Sequence, residues 1–163
     1  MKTIKNLIPA IIITGVAFLY ACGGSDQPAS SGDASSTTAA APAADIDVTA
    51  KSESKGVGKF TSVQLGPIDA AMATKGQAVF AAKCAACHKT TDQKVVGPGL
   101  KGVTDRRTPE WIMNQITNPV EMEQKDPVGQ ALLAKHLTQM TFQNVNDDES
   151  RQILEFLRQN DKK

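Results

Sequence analysis

Three cysteines, one tryptophan, one tyrosine and five phenylalanines are few for 163 residues. So few cysteines exclude a disulfide scaffold, and so few aromatic rings mean that any core is built mainly from Leu, Ile, Val, Ala and Met, with room for something else to help fill it. Excess charge is lacking too. The formal net charge is +1, and it becomes −1 once Lys2 and Lys5 leave with the leader described below, which excludes the broad basic footprint of a nucleic-acid-binding protein. No apolar run is long enough for an ordinary membrane-spanning helix: Leu7 to Tyr20 is broken by Pro9, Thr14 and Gly15 and falls short of the ~20 residues a bilayer requires. The length supports one ordinary domain and not comfortably two.

What is present begins with an address. "MKTIKNLIPAIIITGVAFLYAC" has a lysine-bearing start, an apolar stretch and small residues before Cys22, the pattern of a signal peptide over residues 1–21. "LYAC" resembles the lipobox of bacterial lipoproteins, although Tyr20 is bulkier than the small residue usual there. That resemblance implies cleavage before Cys22 and its acylation, and a diacyl anchor holds stably where a single chain does not. The expected location is therefore the bacterial cell envelope, with the protein membrane-anchored and facing the periplasm or the outside. From Gly23 the chain is rich in Ser, Ala, Gly, Thr and Pro, too poor in apolar surface to offset the entropy of ordering it. Residues 22–62 thus read as the lipidated cysteine plus a flexible linker of ~35 Å r.m.s. span, and 63–163 as the folded domain.

Within that domain the start and stop signals are helical. Asp69 caps an Ala-rich stretch expected to run to about His88; Thr108 and Pro109 open a second helix that Asn118-Pro119 stops; Asp126 and Pro127 open a third; Asn146 and Glu149 form a capping box for the last, with Ile153, Leu154, Phe156 and Leu157 on its apolar face. Residues 89–107, rich in Gly, Thr, Lys and Pro, read as a structured loop. Four helices without an alternating pattern make the fold class all-α.

"KCAACH" carries the chemistry, with Cys84 and Cys87 three positions apart and His88 immediately after. A redox dithiol belongs at the start of a helix in a βαβ unit, whereas this pair sits at a helix end in a chain without strand pattern. A structural zinc needs four ligands, and beyond the pair only His88 and His136 remain, with His88 too close to Cys87 to face the same ion easily. Covalent haem attachment accounts for the whole motif: two thiols reach the two vinyl groups of a porphyrin, and the next residue is left as an axial ligand.

The surrounding sequence, from about Asp69 to Asn160, resembles the class I mono-haem cytochrome c family. "GQAVFAAKCAACH" has Gly76, Phe80, Cys84, Cys87 and His88 at the spacing of that family's first helix, and "GPGLKGV" resembles the loop that follows it. The resemblance implies a small helical fold wrapped around one covalent haem c, a hydrogen bond from His88 to the Pro98 carbonyl, and a crossing of the first and last helices at Gly76 against Ile153 and Phe156. Arg106 and Arg107 resemble the family's basic residue near a haem propionate, and Trp111 is either a propionate donor or core. For the second axial ligand the resemblance favours Met140, shortly before the last helix, with Met122 as its rival; Met72 and Met113 lie on helices, and His136 would make a bis-histidine haem.

Both axial positions filled imply an electron carrier and not an enzyme, working between membrane-bound or periplasmic redox proteins as a monomer tethered by its lipid. The other readings are a subunit permanently docked in an oxidase or reductase complex, and an open-face haem enzyme or gas binder. Lys83, Lys89, Lys94, Lys101, Arg106 and Arg107 outnumber Asp92 and Asp105 around the motif, which would suit acidic partners.

Overall fold

The computed structural model describes residues 46–163; the expected signal peptide, Cys22 and the first part of the expected linker lie outside these residues. Among the described residues there are six helices, and the pairing outside them is an isolated antiparallel bridge between His88 and Lys94. The all-α expectation holds.

α1 (Ala70–Lys83) starts where the Asp69 carboxylate accepts the amides of Ala71 and Met72, and it buries Ala73, Gly76 and Phe80 at helical spacing. It ends earlier than the sequence suggested. The amides of Cys84 and Ala85 both return to the Phe80 carbonyl, those of Cys87 and His88 both return to that of Cys84, and the chain coils into a turn instead of continuing as a helix. α6 (Asp147–Asp161) begins with the expected capping box and buries Ile153, Leu154 and Leu157. These two helices cross at Gly76, while the Phe80 and Phe156 rings meet beside the crossing at 5.4 Å.

The other helices also follow their caps. α3 (Pro109–Thr117) opens on the Thr108 hydroxyl, which accepts the Trp111 amide, and α5 (Pro127–His136) opens on Asp126, which accepts that of Gly129. Asn118-Pro119 is not a full stop: Asn118 closes α3 while Pro119 opens α4 (Pro119–Lys125), because proline at a first helical position loses no hydrogen bond. A further short helix, α2 (Val103–Arg106), interrupts the expected loop, and the Asp161 carboxylate of α6 accepts from the Gly102 and Thr104 amides at its start.

The largest departure is the N-terminal boundary. Residues 46–62, expected in the flexible linker, form an extended strap along α3 and α4. Ile46, Val57 and Phe60 pack on the core. Asn114, only 1% exposed, holds the strap from three sides, accepting the Phe60 amide and donating to the Lys55 and Phe60 carbonyls. The Ser54 hydroxyl donates to Asp126, and Thr108 donates to the Ser54 carbonyl. The strap's composition is polar because its order comes from side chains on the helices beneath it; only Val57 and Phe60, three apart in "GVGKF", hinted at a buried face.

Candidate functional site

The turn after α1 puts Cys84, Cys87 and His88 on one tight coil. Cys84 is half-buried and Cys87 exposed, and both thiols are free. Burial raises the Cys84 thiol pKa, only partly offset by Lys83, and neighbouring Cys87 raises it further. A redox-active dithiol needs the opposite, a lowered pKa. Among the described residues no group of three or more His, Cys, Asp or Glu side chains converges to hold a metal ion.

The His88 ring is fixed by the loop that follows it. Its Nδ1 lies 2.9 Å from the Pro98 carbonyl oxygen. A carbonyl only accepts, so Nδ1 carries the proton and Nε2 presents a lone pair. The loop is held against the motif by backbone bonds from Gly97 to Cys87, Leu100 to Lys89 and Lys101 to Thr91. Gly97 lies flat on the imidazole: a Cβ there would come 2.3 Å from Cε1, so no other residue fits without displacing the ring.

The two rival methionines have different environments. Met122 is fully buried in the core, its thioether accepts the Val57 amide of the strap at 2.9 Å, and Gly56 lies against it. Its sulfur is already committed. Met140 is half-buried in the connection between α5 and α6, where residues 137–139 and 141–144 are all exposed. Gln115 of α3 donates to its sulfur at 3.6 Å, and Glu123 of α4 accepts its amide at 2.7 Å. Met113 is core, and Met72 stays on α1.

Three buried side-chain atoms among the described residues lack a partner: Gln115 Oε1, Glu123 Oε2 and His136 Nδ1. The first two belong to the residues that hold Met140, and His136 ends α5 just before it. Burial, followed by the positive charges of Lys94 and Lys135, lowers the His136 pKa. Orphaned polar atoms cost free energy when buried, and those of Gln115 and Glu123, the two side chains that contact Met140, mark this as a place shaped for more than chain packing. Two thiols on one turn, an imidazole with a free Nε2 and a thioether outside the core form a donor set that fits a covalently held haem.

Both arginines are engaged by backbone carbonyls. The Arg107 guanidinium, from a residue only 6% exposed, donates to the carbonyls of Val48, Ala50 and Arg106 and lies over the Trp111 ring. It anchors the strap at Val48 and Ala50. Arg106 donates to the Lys101 carbonyl. Trp111 donates its indole N–H to Asp126 and is core. The basic surroundings shrink accordingly: Lys83 is paired with Glu149 and Arg107 is buried, leaving Lys89, Lys94 and Lys101 as exposed cations near the motif. Sequence reasoning missed Gln115, Glu123 and the strap, because none of them carries a motif.

A family model described as "Cytochrome c" matches residues 73–161. The chain is 35% identical over 69 residues to a "Cytochrome c-553-like" protein of Synechocystis sp., covering 40% of this chain and 66%, just under two thirds, of that relative. It is 32% identical over 112 residues to "Cytochrome c2 iso-2" of Rhodospirillum centenum, covering 52% of this chain and 92% of that one. Among solved structures, a cytochrome c from Rhodothermus marinus superposes with a TM-score of 0.62 at 42% identity, over 64% of this chain and 90% of that chain.

Proposed function

The chain belongs to the cytochrome c family, and on that premise we propose that it is a membrane-tethered mono-haem electron carrier whose iron is held by His88 and Met140. Its cofactor is one covalently attached haem c, which supplies a metal centre able to exist as ferrous or ferric.

The chain's own residues do the rest. Cys84 and Cys87 are the thioether positions. His88 offers Nε2 because Pro98 occupies the proton on Nδ1, and that hydrogen bond also orients the ring and raises its basicity. Met140 would offer the second ligand atom, being the methionine, among the described residues, whose sulfur is neither buried in the core nor fixed on α1. A haem held by both His88 and Met140 would leave no open position at its iron for a substrate. The His88–Pro98 contact, on the same turn as two free thiols, is the observation that carries this reading.

The membrane tether rests on the lipobox resemblance at Cys22. Among the described residues no helix is long and apolar enough to cross a membrane. A lipid anchor would suit a domain meeting redox partners on the same surface.

The test uses protein matured with haem. Colour should stay with the denatured, solvent-extracted polypeptide, and the weak ferric sulfur-to-iron absorption band should disappear in Met140→Ala. A band that survives this substitution removes Met140 from the iron. Mass spectrometry of detergent-extracted protein should find a diacylglycerol-modified Cys22 as the first residue; an intact or unmodified N-terminus removes the tether.

A further inference from the structure

We propose that Gln115 and Glu123 are positioning residues for Met140, one acting on its sulfur and the other on its backbone, so that α3 and α4 set the strength of the sulfur–iron bond. The inference rests on Met140 being the axial ligand.

The connection carrying Met140 has little of its own to hold it. Leu137 is 85% exposed and Phe142 is 48% exposed, and residues 138, 139, 141, 143 and 144 are exposed as well. Leu137 and Asn144 both adopt positive φ, as in a tight loop with few internal restraints. Between the end of α5 and Val145, Met140 alone turns inward, and two helical side chains meet it there. Glu123, 7% exposed, accepts its amide at 2.7 Å. Gln115 brings an amide N–H to within 3.6 Å of its sulfur, a normal approach for so large and weak an acceptor. Each of these side chains also leaves one buried oxygen without a partner, Gln115 Oε1 and Glu123 Oε2. Leucine or methionine would fill either position without that penalty. The hydrogen bonds to Met140 are what the polar side chains provide in return.

Their effects differ. A sulfur lone pair shared with an N–H is a poorer donor to a cation, and ferric iron depends on that donation more than ferrous iron does. The Gln115 contact therefore favours the ferrous state. Glu123 holds the backbone of the ligand, so it governs how readily the thioether leaves. Loosening it should ease replacement by an external ligand, with no need for the sulfur's own basicity to change.

The experiment compares holoprotein carrying Gln115→Leu, Glu123→Leu, Glu123→Gln and Met140→Ala. Gln115→Leu is expected to keep the sulfur-to-iron band while the ferric–ferrous equilibrium moves roughly threefold toward ferric, the scale of one weak hydrogen bond. Glu123→Leu is expected to bind imidazole at the iron roughly fivefold more tightly than wild type. Glu123→Gln, which retains an acceptor at the same place, should return to within about twofold of wild type. Should a leucine variant fail to fold, Gln115→Glu and Glu123→Met repeat the comparison. An unchanged potential in Gln115→Leu with the band intact, or an unchanged imidazole affinity in Glu123→Leu, overturns the proposal. A band that persists in Met140→Ala shows instead that the ligand assignment itself has failed.

Discussion

Gly76 and Gln152 touch backbone to backbone: a Cβ on Gly76 would stand 1.9 Å from the Gln152 carbonyl oxygen. That contact lets α1 and α6 approach closely, and it aligns the Phe80 and Phe156 rings beside it. Gly76→Ala must push the helices apart or break a turn of α6, and the expected cost is about 3 kcal/mol, at the upper end for overpacked cores. Denaturant titration of the holoprotein checks it; a loss below about 1 kcal/mol would mean that the crossing adapts freely.

Met122→Ala separates the two methionines. Its side chain is fully buried and its sulfur accepts the Val57 amide, so truncation should cost roughly 3 kcal/mol by leaving a cavity and an orphaned donor. The sulfur-to-iron band should nonetheless persist. Its disappearance would return Met122 to contention as the ligand.

Asn114→Ala tests the strap. One amide and two carbonyls of residues 55–60 lose their partner, and the expected destabilisation is about 2 kcal/mol. Limited proteolysis should then cut within residues 46–62 much faster than in wild type, while the haem spectrum is unchanged. Equal cutting rates would show that the strap is held by its apolar contacts alone.

Glu155, 1% exposed, sits between Arg151 and Arg158 at 2.9 and 2.7 Å. Glu155→Ala leaves two partly buried guanidiniums facing each other without an anion, and should cost roughly 3 kcal/mol. Thermal unfolding of the variant against wild type reads the loss directly.

The Glu149 carboxylate receives the Lys83 ammonium and the Asn146 amide, and these hydrogen bonds hold its pKa below the usual carboxylate value. A lowered folded-state pKa adds stability above the unfolded-state value near 4.5 and loses it as pH falls through the folded one. The stability difference between wild type and Glu149→Gln should therefore be constant from neutral pH to about 5 and shrink below that. A difference that grows on acidification would contradict the sign.

Local signals in the chain were read with most success where one residue sufficed to act. Asp69, Thr108, Asp126 and Asn146 each cap the helix expected of them, since an N-cap needs only a side-chain oxygen and a free amide two or three residues on. The end of α1 is not legible because the Ala-rich pattern runs through Cys84 without a break; the turn that stops it is made by backbone carbonyls, which the side-chain pattern does not display. Arg107 looked like an exposed loop cation because its acceptors, Val48 and Ala50, lie in a segment whose composition reads as linker.

By itself the sequence determined the all-α class, the helix starts, the attachment motif and the short set of methionines from which a ligand could come, because each depends on residue type and close spacing. Tertiary structure alone decided which methionine sulfur is sequestered, that residues 46–62 pack on the helices, and that α3 and α4 reach the Met140 connection through Gln115 and Glu123. These outcomes join residues 17 to 65 positions apart in the chain. Such contacts form only when packed helices bring distant backbone and side-chain groups within hydrogen-bonding distance.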